Sequence, residues 1–315
     1  MSIKPFLTYR QQINELTRHK SLNITDTQKA ERYLQDIGYF SLIGGYKELL
    51  RNPSTGRYLP NVTFDDIVAL YEFDTEIREL FFHYICMIEK KLRNVISYEF
   101  CNVYGPMQTE YLNLNNYNAS SSNAQRNVNR LIGEMGGLIQ SVNKYPYIEH
   151  QRNRHQNVPL WVLTNALTFG QISIMYSYMK PSLQHSISQN FNNITQRELR
   201  QYLKFLGLFR NVCAHHERFF AHKARVDIPD TLIHNKLGIP RTGNTYTKGK
   251  RDVFAVVITF KYFFASPHFL KFQKSLKNAI DAYLARTQSV TKAQLYEAMG
   301  FPPNWGKIGR YRRLR

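Results

Sequence analysis

Three residues in this 315-residue chain stand out for chemistry: Arg210, Asn211 and His215, in the run Arg210-Asn211-Val212-Cys213-Ala214-His215. Arginine offers a planar fork of donors to phosphate oxygens as charge develops on them. Imidazole titrates near neutrality and can serve as base or acid. The combination suits cleavage of RNA. One histidine takes the proton of a ribose 2′-OH and a second, protonated, gives one to the leaving 5′ oxygen; each transfer contributes roughly 10²- to 10⁴-fold. No metal is required, DNA lacks the nucleophile, and the products would carry 2′,3′-cyclic phosphate and 5′-OH ends. The plainer alternative is an arginine capping a helix end beside an ordinary surface histidine.

On a helix, Asn211 and His215 are four apart and share a face, whereas Arg210 and His215 are five apart and lie well around from each other. Two copies brought face to face would pool two arginines and two histidines in one cleft. His216 points elsewhere and reads as a structural or RNA-contact residue. His215, His216, His222 and Cys213 match the spacing of no common metal site, and no cofactor is expected.

The element that must carry these residues opens at Thr195. Leu199, Tyr202, Leu203, Leu206 and Phe209 form an apolar stripe that runs straight into Arg210. A much longer helix, or two in line, begins at Thr63 with an acid three residues on, as in a capping box, and continues to about residue 103 without Pro or Gly. Asp74 breaks its apolar face, and it is expected to be either buried against a base such as Arg78 or exposed through a helix bend. Glu89 and Arg93 are four apart on the same helix, a spacing typical of solvated ion pairs. Short amphipathic helices are expected at 8–20 and 26–37, an exposed Asn/Ser-rich loop near 105–129, and further helices at 124–142, 161–179 and from Pro181. Residues 252–286 read as two helices broken near Ser266-Pro267, with 253–260 a buried strand as the alternative.

Composition limits the partners. Forty-two Lys+Arg against 23 Asp+Glu give +19, which argues for a polyanionic partner, nucleic acid or an anionic membrane surface, the alternative being a generally basic surface. The excess is uneven: residues 241–315 hold 15 bases and three acids, while 63–100 hold eight acids and four bases. The basic C-terminal region offers Lys248, Lys250, Arg251, Lys307, Arg310, Arg312, Arg313 and Arg315 as phosphate contacts. Its last ten residues read as a phosphate-gripping arm or a solubilising tail. Three cysteines make no disulfide framework. Residues 1–6 lack the features of a signal peptide. Lys261, Pro267 and His268 interrupt the most apolar stretch, 253–270, which therefore reads as core and not as a membrane span. A cytoplasmic location is expected.

The run Leu206-Gly207-Leu208-Phe209-Arg210-Asn211-Val212-Cys213-Ala214-His215-His216-Glu217-Arg218 resembles the Arg-polar-x-x-x-His signature of HEPN ribonucleases, in the form found in the Abi-like (abortive infection) family. Further blocks resemble that family in order: Lys4-Pro5-Phe6-Leu7-Thr8-Tyr9, Ile37-Gly38-Tyr39-Phe40-Ser41-Leu42, Thr63-Phe64-Asp65-Asp66-Ile67, Ile88-Glu89-Lys90-Lys91-Leu92-Arg93, Pro159-Leu160-Trp161 with Leu167-Thr168-Phe169-Gly170, and Met299-Gly300-Phe301-Pro302-Pro303-Asn304-Trp305. The resemblance implies an all-α fold: a HEPN-type bundle over 63–235, an N-terminal helical segment over 1–62, and a basic helical region and tail over 236–315. It also implies a metal-independent RNase active as a homodimer in phage defence, association with a small noncoding RNA, Arg210, Asn211 and His215 as catalytic residues, and Glu89, Arg93 and His216 as support. One departure is that relatives often place an Asn soon after the signature, where this chain reads Arg218-Phe219-Phe220-Ala221. The rival readings are a non-catalytic RNA-binding or toxin-regulating protein on the same scaffold, and the HEPN half of a nucleotidyltransferase pair.

Overall fold

The long helix runs unbroken from Phe64 to Tyr104. Thr63 starts it as the spacing predicts: its hydroxyl accepts the Asp66 N–H, and the Asp66 carboxylate accepts the Thr63 N–H at 2.9 Å. In this computed structural model residues 5–311 are described. Lys4, Arg312, Arg313 and Arg315 lie outside them. The class is all-α, and the sole two-stranded pairing among the described residues is the hairpin Arg241–Thr242 with Thr245–Tyr246.

Two elements clasp the middle of the long helix. The motif helix, Gln196–Ala214, packs along it, and so does the C-terminal helix Ser266–Arg286. The second contact is aromatic: Phe73 stacks on Tyr283 at 4.8 Å, and Phe81 meets Phe272 edge-on at 5.1 Å. Between them lies Val253–Phe263, every residue of which is buried. It is a helix, not the alternative strand, and Asp252 caps it by accepting the Ala255 N–H at 3.0 Å. Among the described residues no helix is long and apolar enough to cross a membrane. One continuous core joins residues of all three expected segments.

Three expectations about connecting segments are corrected. The Asn/Ser-rich stretch is not a plain exposed loop. It holds the short helix Gln108–Tyr111 and a 3-10 turn, Leu114–Asn116, with Tyr111, Asn116 and Tyr117 buried. The Asn116 amide donates to the Glu110 carbonyl at 2.9 Å and the Tyr117 hydroxyl to the Tyr111 carbonyl at 2.7 Å, so the polar side chains satisfy a folded backbone. The helix expected over 161–179 is two, Leu160–Leu163 and Phe169–Tyr178. A capping box between Thr168 and Gln171 starts the second afresh. Residues 305–310 are not a free arm; they form a 3-10 helix pinned by buried Trp305 and Ile308.

Candidate active site

The motif helix is fixed at both ends. Thr195 and Glu198 form a capping box at its start, with the Thr195 N–H donating to the carboxylate at 2.8 Å. Leu199, Tyr202, Leu203, Leu206 and Phe209 are all buried, as their spacing predicts. At the other end the N–H of His216 reaches the Cys213 carbonyl and that of Glu217 the Val212 carbonyl at 3.0 Å, the paired bonds of a Schellman termination. His216 occupies the left-handed position of that motif, at φ 55°, where glycine is usual.

The chain leaving the helix is fastened to the long helix by Asp74. This carboxylate is fully buried and accepts the Phe219 N–H at 3.0 Å, the Phe220 N–H and the Tyr46 hydroxyl at 2.7 Å. Arg78, buried beside it at 3.2 Å, donates also to the Glu217 carbonyl. Asp74 is therefore buried against Arg78, and its second task is holding the segment that follows His215. Burial pushes its carboxyl up against the pull of those donors.

Asn211 and His215 are exposed at this end of the helix, and the Arg210 side chain is 32% exposed. The inner side of Arg210 faces Glu89, a carboxylate buried on the long helix. Its oxygens lie 4.0 Å from Arg210 Nε and in an ion pair with Arg93. Arg93 in turn donates to the Leu167 carbonyl at 2.7 Å, and the Arg210 guanidinium sits 5.9 Å over the Phe82 ring. Glu89 and Arg93 thus form a largely buried pair and not a solvated one. Glu89 accepts a hydrogen bond from Arg93, whereas Arg210 Nε is buried near it without a hydrogen-bond partner among the described residues. Cys86, a turn earlier, has its thiol pushed up by burial and by Glu89. Cys213 is pushed by burial up to about 12, so neither is a thiolate near neutrality.

A family model for Abi-like proteins matches residues 32–221, more than half of the chain. The chain belongs to the Abi-like protein family. Every residue of the site just described falls inside the matched span. No curated protein and no solved structure matches the chain. The departure after the signature has its own bonds in this Abi-like protein: Arg218 pairs with Glu48 at 3.0 Å and donates to the Gly45 carbonyl, while Phe219 and Phe220 are buried.

The basic residues nominated for phosphate contact divide sharply. Lys250 is 7% exposed, bonded to Asp230 at 2.6 Å and to the Ile228 carbonyl, which removes its ammonium from any phosphate. Lys248 pairs with Glu297, and Arg251 with Asp227 at 2.8 Å, leaving both partly neutralised. Lys307 and Arg310 are exposed and have no ion-pair partner among the described residues. Two features are not legible in the sequence. Arg93 captures the Leu167 carbonyl, and Arg210 and Asn211 close one end of a groove of about 410 Å³ beside Phe169–Tyr178. A glycine at 207 inside an apolar helix was the one hint of that opening.

Proposed function

We propose that this Abi-like protein is a HEPN-type endoribonuclease that cleaves RNA by attack of a ribose 2′-OH on its own phosphodiester, at an Arg/His site completed by a second copy of the chain. Membership of the family suggests the setting, abortive infection. The observation that carries the reading is the exposed helix end at which His215 and Asn211 face solvent, with Arg210 beside them and buried Glu89 4.0 Å behind its Nε.

The roles follow from chemistry and placement. His215 accepts the 2′-OH proton as the oxygen bonds to phosphorus. The His215 imidazolium of the second copy protonates the departing 5′ oxygen, so one proton is taken and one returned. Arg210 directs its terminal nitrogens to the non-bridging oxygens, and Asn211 donates its amide to the same group. Pooling two copies answers the helical geometry, since His215 does not line the groove that Arg210 and Asn211 close.

The test is incubation of purified protein with total RNA and with DNA in EDTA, beside His215→Ala. Expected are RNA fragments with cyclic phosphate and 5′-OH ends, intact DNA, and a loss of at least about 10²-fold in the variant. RNA left uncut by the unmodified protein would favour the non-catalytic RNA-binding reading.

A further inference from the structure

Apart from Arg210 and Asn211 at its end, the groove beside the motif helix has no role in the chemistry above. It lies between Phe169–Tyr178 and the motif helix, and its walls include Ser173, Lys204, Gly207, Leu208 and Asn211. Lys204, Gly207, Leu208 and Asn211 are spaced three and four apart, so they form one stripe of the motif helix, and His215 is the next position along it. At about 1.5 Å per residue the stripe from Lys204 to His215 is roughly 16 Å long, the length of two or three nucleotides of single strand.

Its composition suits a strand with an unpaired base. The Ser173 hydroxyl, the Lys204 ammonium and the Asn211 amide have no hydrogen-bond or ion-pair partner among the described residues. Partly exposed Ile174 and Leu208 supply apolar surface between them. Gly207 keeps the groove open. A Cβ there would already meet the Phe169 ring at 3.4 Å, and anything longer would fill the space. A glycine inside a helix is less favourable than alanine, and here its missing side chain leaves the groove unfilled. Unstacked bases lodge in such clefts by hydrogen bonds and apolar contact, whereas A-form duplex presents no free base.

We infer that this groove is a subsite for single-stranded RNA, taking the base next to the scissile phosphate between Ser173 and Asn211 while Lys204 grips a phosphate further along the strand. The assignment rests on the ribonuclease reading for what lies at His215, but it is tested by binding alone. The His215→Ala protein is titrated into a fluorescein-labelled ten-nucleotide single-stranded RNA at several salt concentrations, and anisotropy is read. Adding Lys204→Glu is expected to weaken binding on the order of tenfold and to flatten the slope of log affinity against log salt by about 0.7, the value for one phosphate contact on a single strand. Adding Ser173→Trp, which plugs the groove, should weaken it similarly. The same charge reversal at exposed Lys292 should change binding less than twofold, and a duplex of the same sequence should bind more weakly than the single strand. Thermal unfolding checks that each variant folds, and Lys204→Glu, a surface change, serves if Ser173→Trp does not.

Undiminished binding by folded Lys204→Glu, an equal loss at Lys292, or no binding by the parent overturns the subsite. Failure of the ribonuclease reading appears separately, as RNA left uncut by the unmodified protein, and does not alter this comparison.

Discussion

Glu89 is the residue on which the candidate site turns. The Glu89 carboxylate, buried on the long helix, binds the Arg93 guanidinium and lies 4.0 Å from Arg210 Nε, so both arginines face one fixed acid. Removing one member of such a group leaves the others buried without compensation, at a cost of about 3–5 kcal/mol in fully buried cases. Arg93 and Arg210 are 22% and 32% exposed, so water reduces this, and Glu89→Gln should lose roughly 2 kcal/mol in urea unfolding. RNA cleavage should fall further than stability explains, since Arg210 loses the acid it faces. Full activity in a folded Glu89→Gln protein would remove Glu89 from the site. Arg210→Lys should not substitute for arginine, because an ammonium lacks the planar fork. The family resemblance points to Glu89 and Arg93 as support for the site, but not to their burial. The Glu89 and Arg93 spacing is visible in sequence, but it fits a solvated pair equally well, and only burial distinguishes the two.

At the scale of elements, helix ends decide the geometry. His216 sits in the left-handed conformation that costs a non-glycine residue about 1–2 kcal/mol. Part of that is offset by the greater freedom glycine has when unfolded. His216→Gly should therefore raise stability by roughly 0.5–1 kcal/mol, read as a higher midpoint in urea, and keep the turnover number if His215 alone does the proton transfer; a hundredfold fall would make His216 the working base. The start of Val253–Phe263 gives a pH prediction. Asp252 is buried, and its carboxyl is raised by burial to about 6, against the pull of the Gly249 and Ala255 N–H groups. A raised carboxyl favours the folded state most when protonated, so this contribution is full only below the ordinary value of 3.8 and is lost as pH climbs from there through about 6. A shift of this size corresponds to roughly 3 kcal/mol. Asp252→Asn keeps an oxygen for both N–H groups, and it should come nearest the unmodified protein at about pH 3, exceed it at about pH 7.5, and flatten the stability profile between. An unchanged profile would show that Asp252 is not the titrating group. A different constraint acts opposite this cap. Gly300 has φ 75°, and a Cβ there would collide with the Asp252 carboxyl group, so side chains are excluded at 300 on two counts.

At the scale of the molecule, the net charge of +19 overstates what a polyanion would meet. Glu297, Asp230 and Asp227 neutralise Lys248, Lys250 and Arg251, leaving Lys204, Lys307 and Arg310 among the exposed cations. The basic C-terminal region also does structural work. Arg286 pairs with Glu72, and the Thr287 hydroxyl donates to Asp66 at the start of the long helix. Truncation after residue 235 would uncover Phe73, Phe81 and Tyr84 on the long helix. Exposed apolar surface of that kind favours aggregation, so the truncated chain should aggregate or lack a cooperative melt. A soluble fragment with a sharp melt would instead mean that the long helix is covered without the C-terminal helices.

The sequence by itself determined what depends on near neighbours along the chain. Thr63 and Thr195 open helices because a hydroxyl and an acid three residues on can cap each other, and the stripe from Leu199 to Phe209 buries because its period matches a helix. The chemistry available at Arg210, Asn211 and His215 is likewise a matter of residue type and spacing. The tertiary structure decided what depends on groups far apart in the chain: Asp74 holding Phe219 and Phe220, Glu89 meeting Arg210, Arg93 reaching Leu167, Lys250 sinking onto Asp230. The physical reason is that capping and periodicity are set within a few residues, where side-chain type fixes the outcome. Whether a charge is buried, and against which partner, depends on how whole helices pack, and many chains with the same local pattern would pack otherwise.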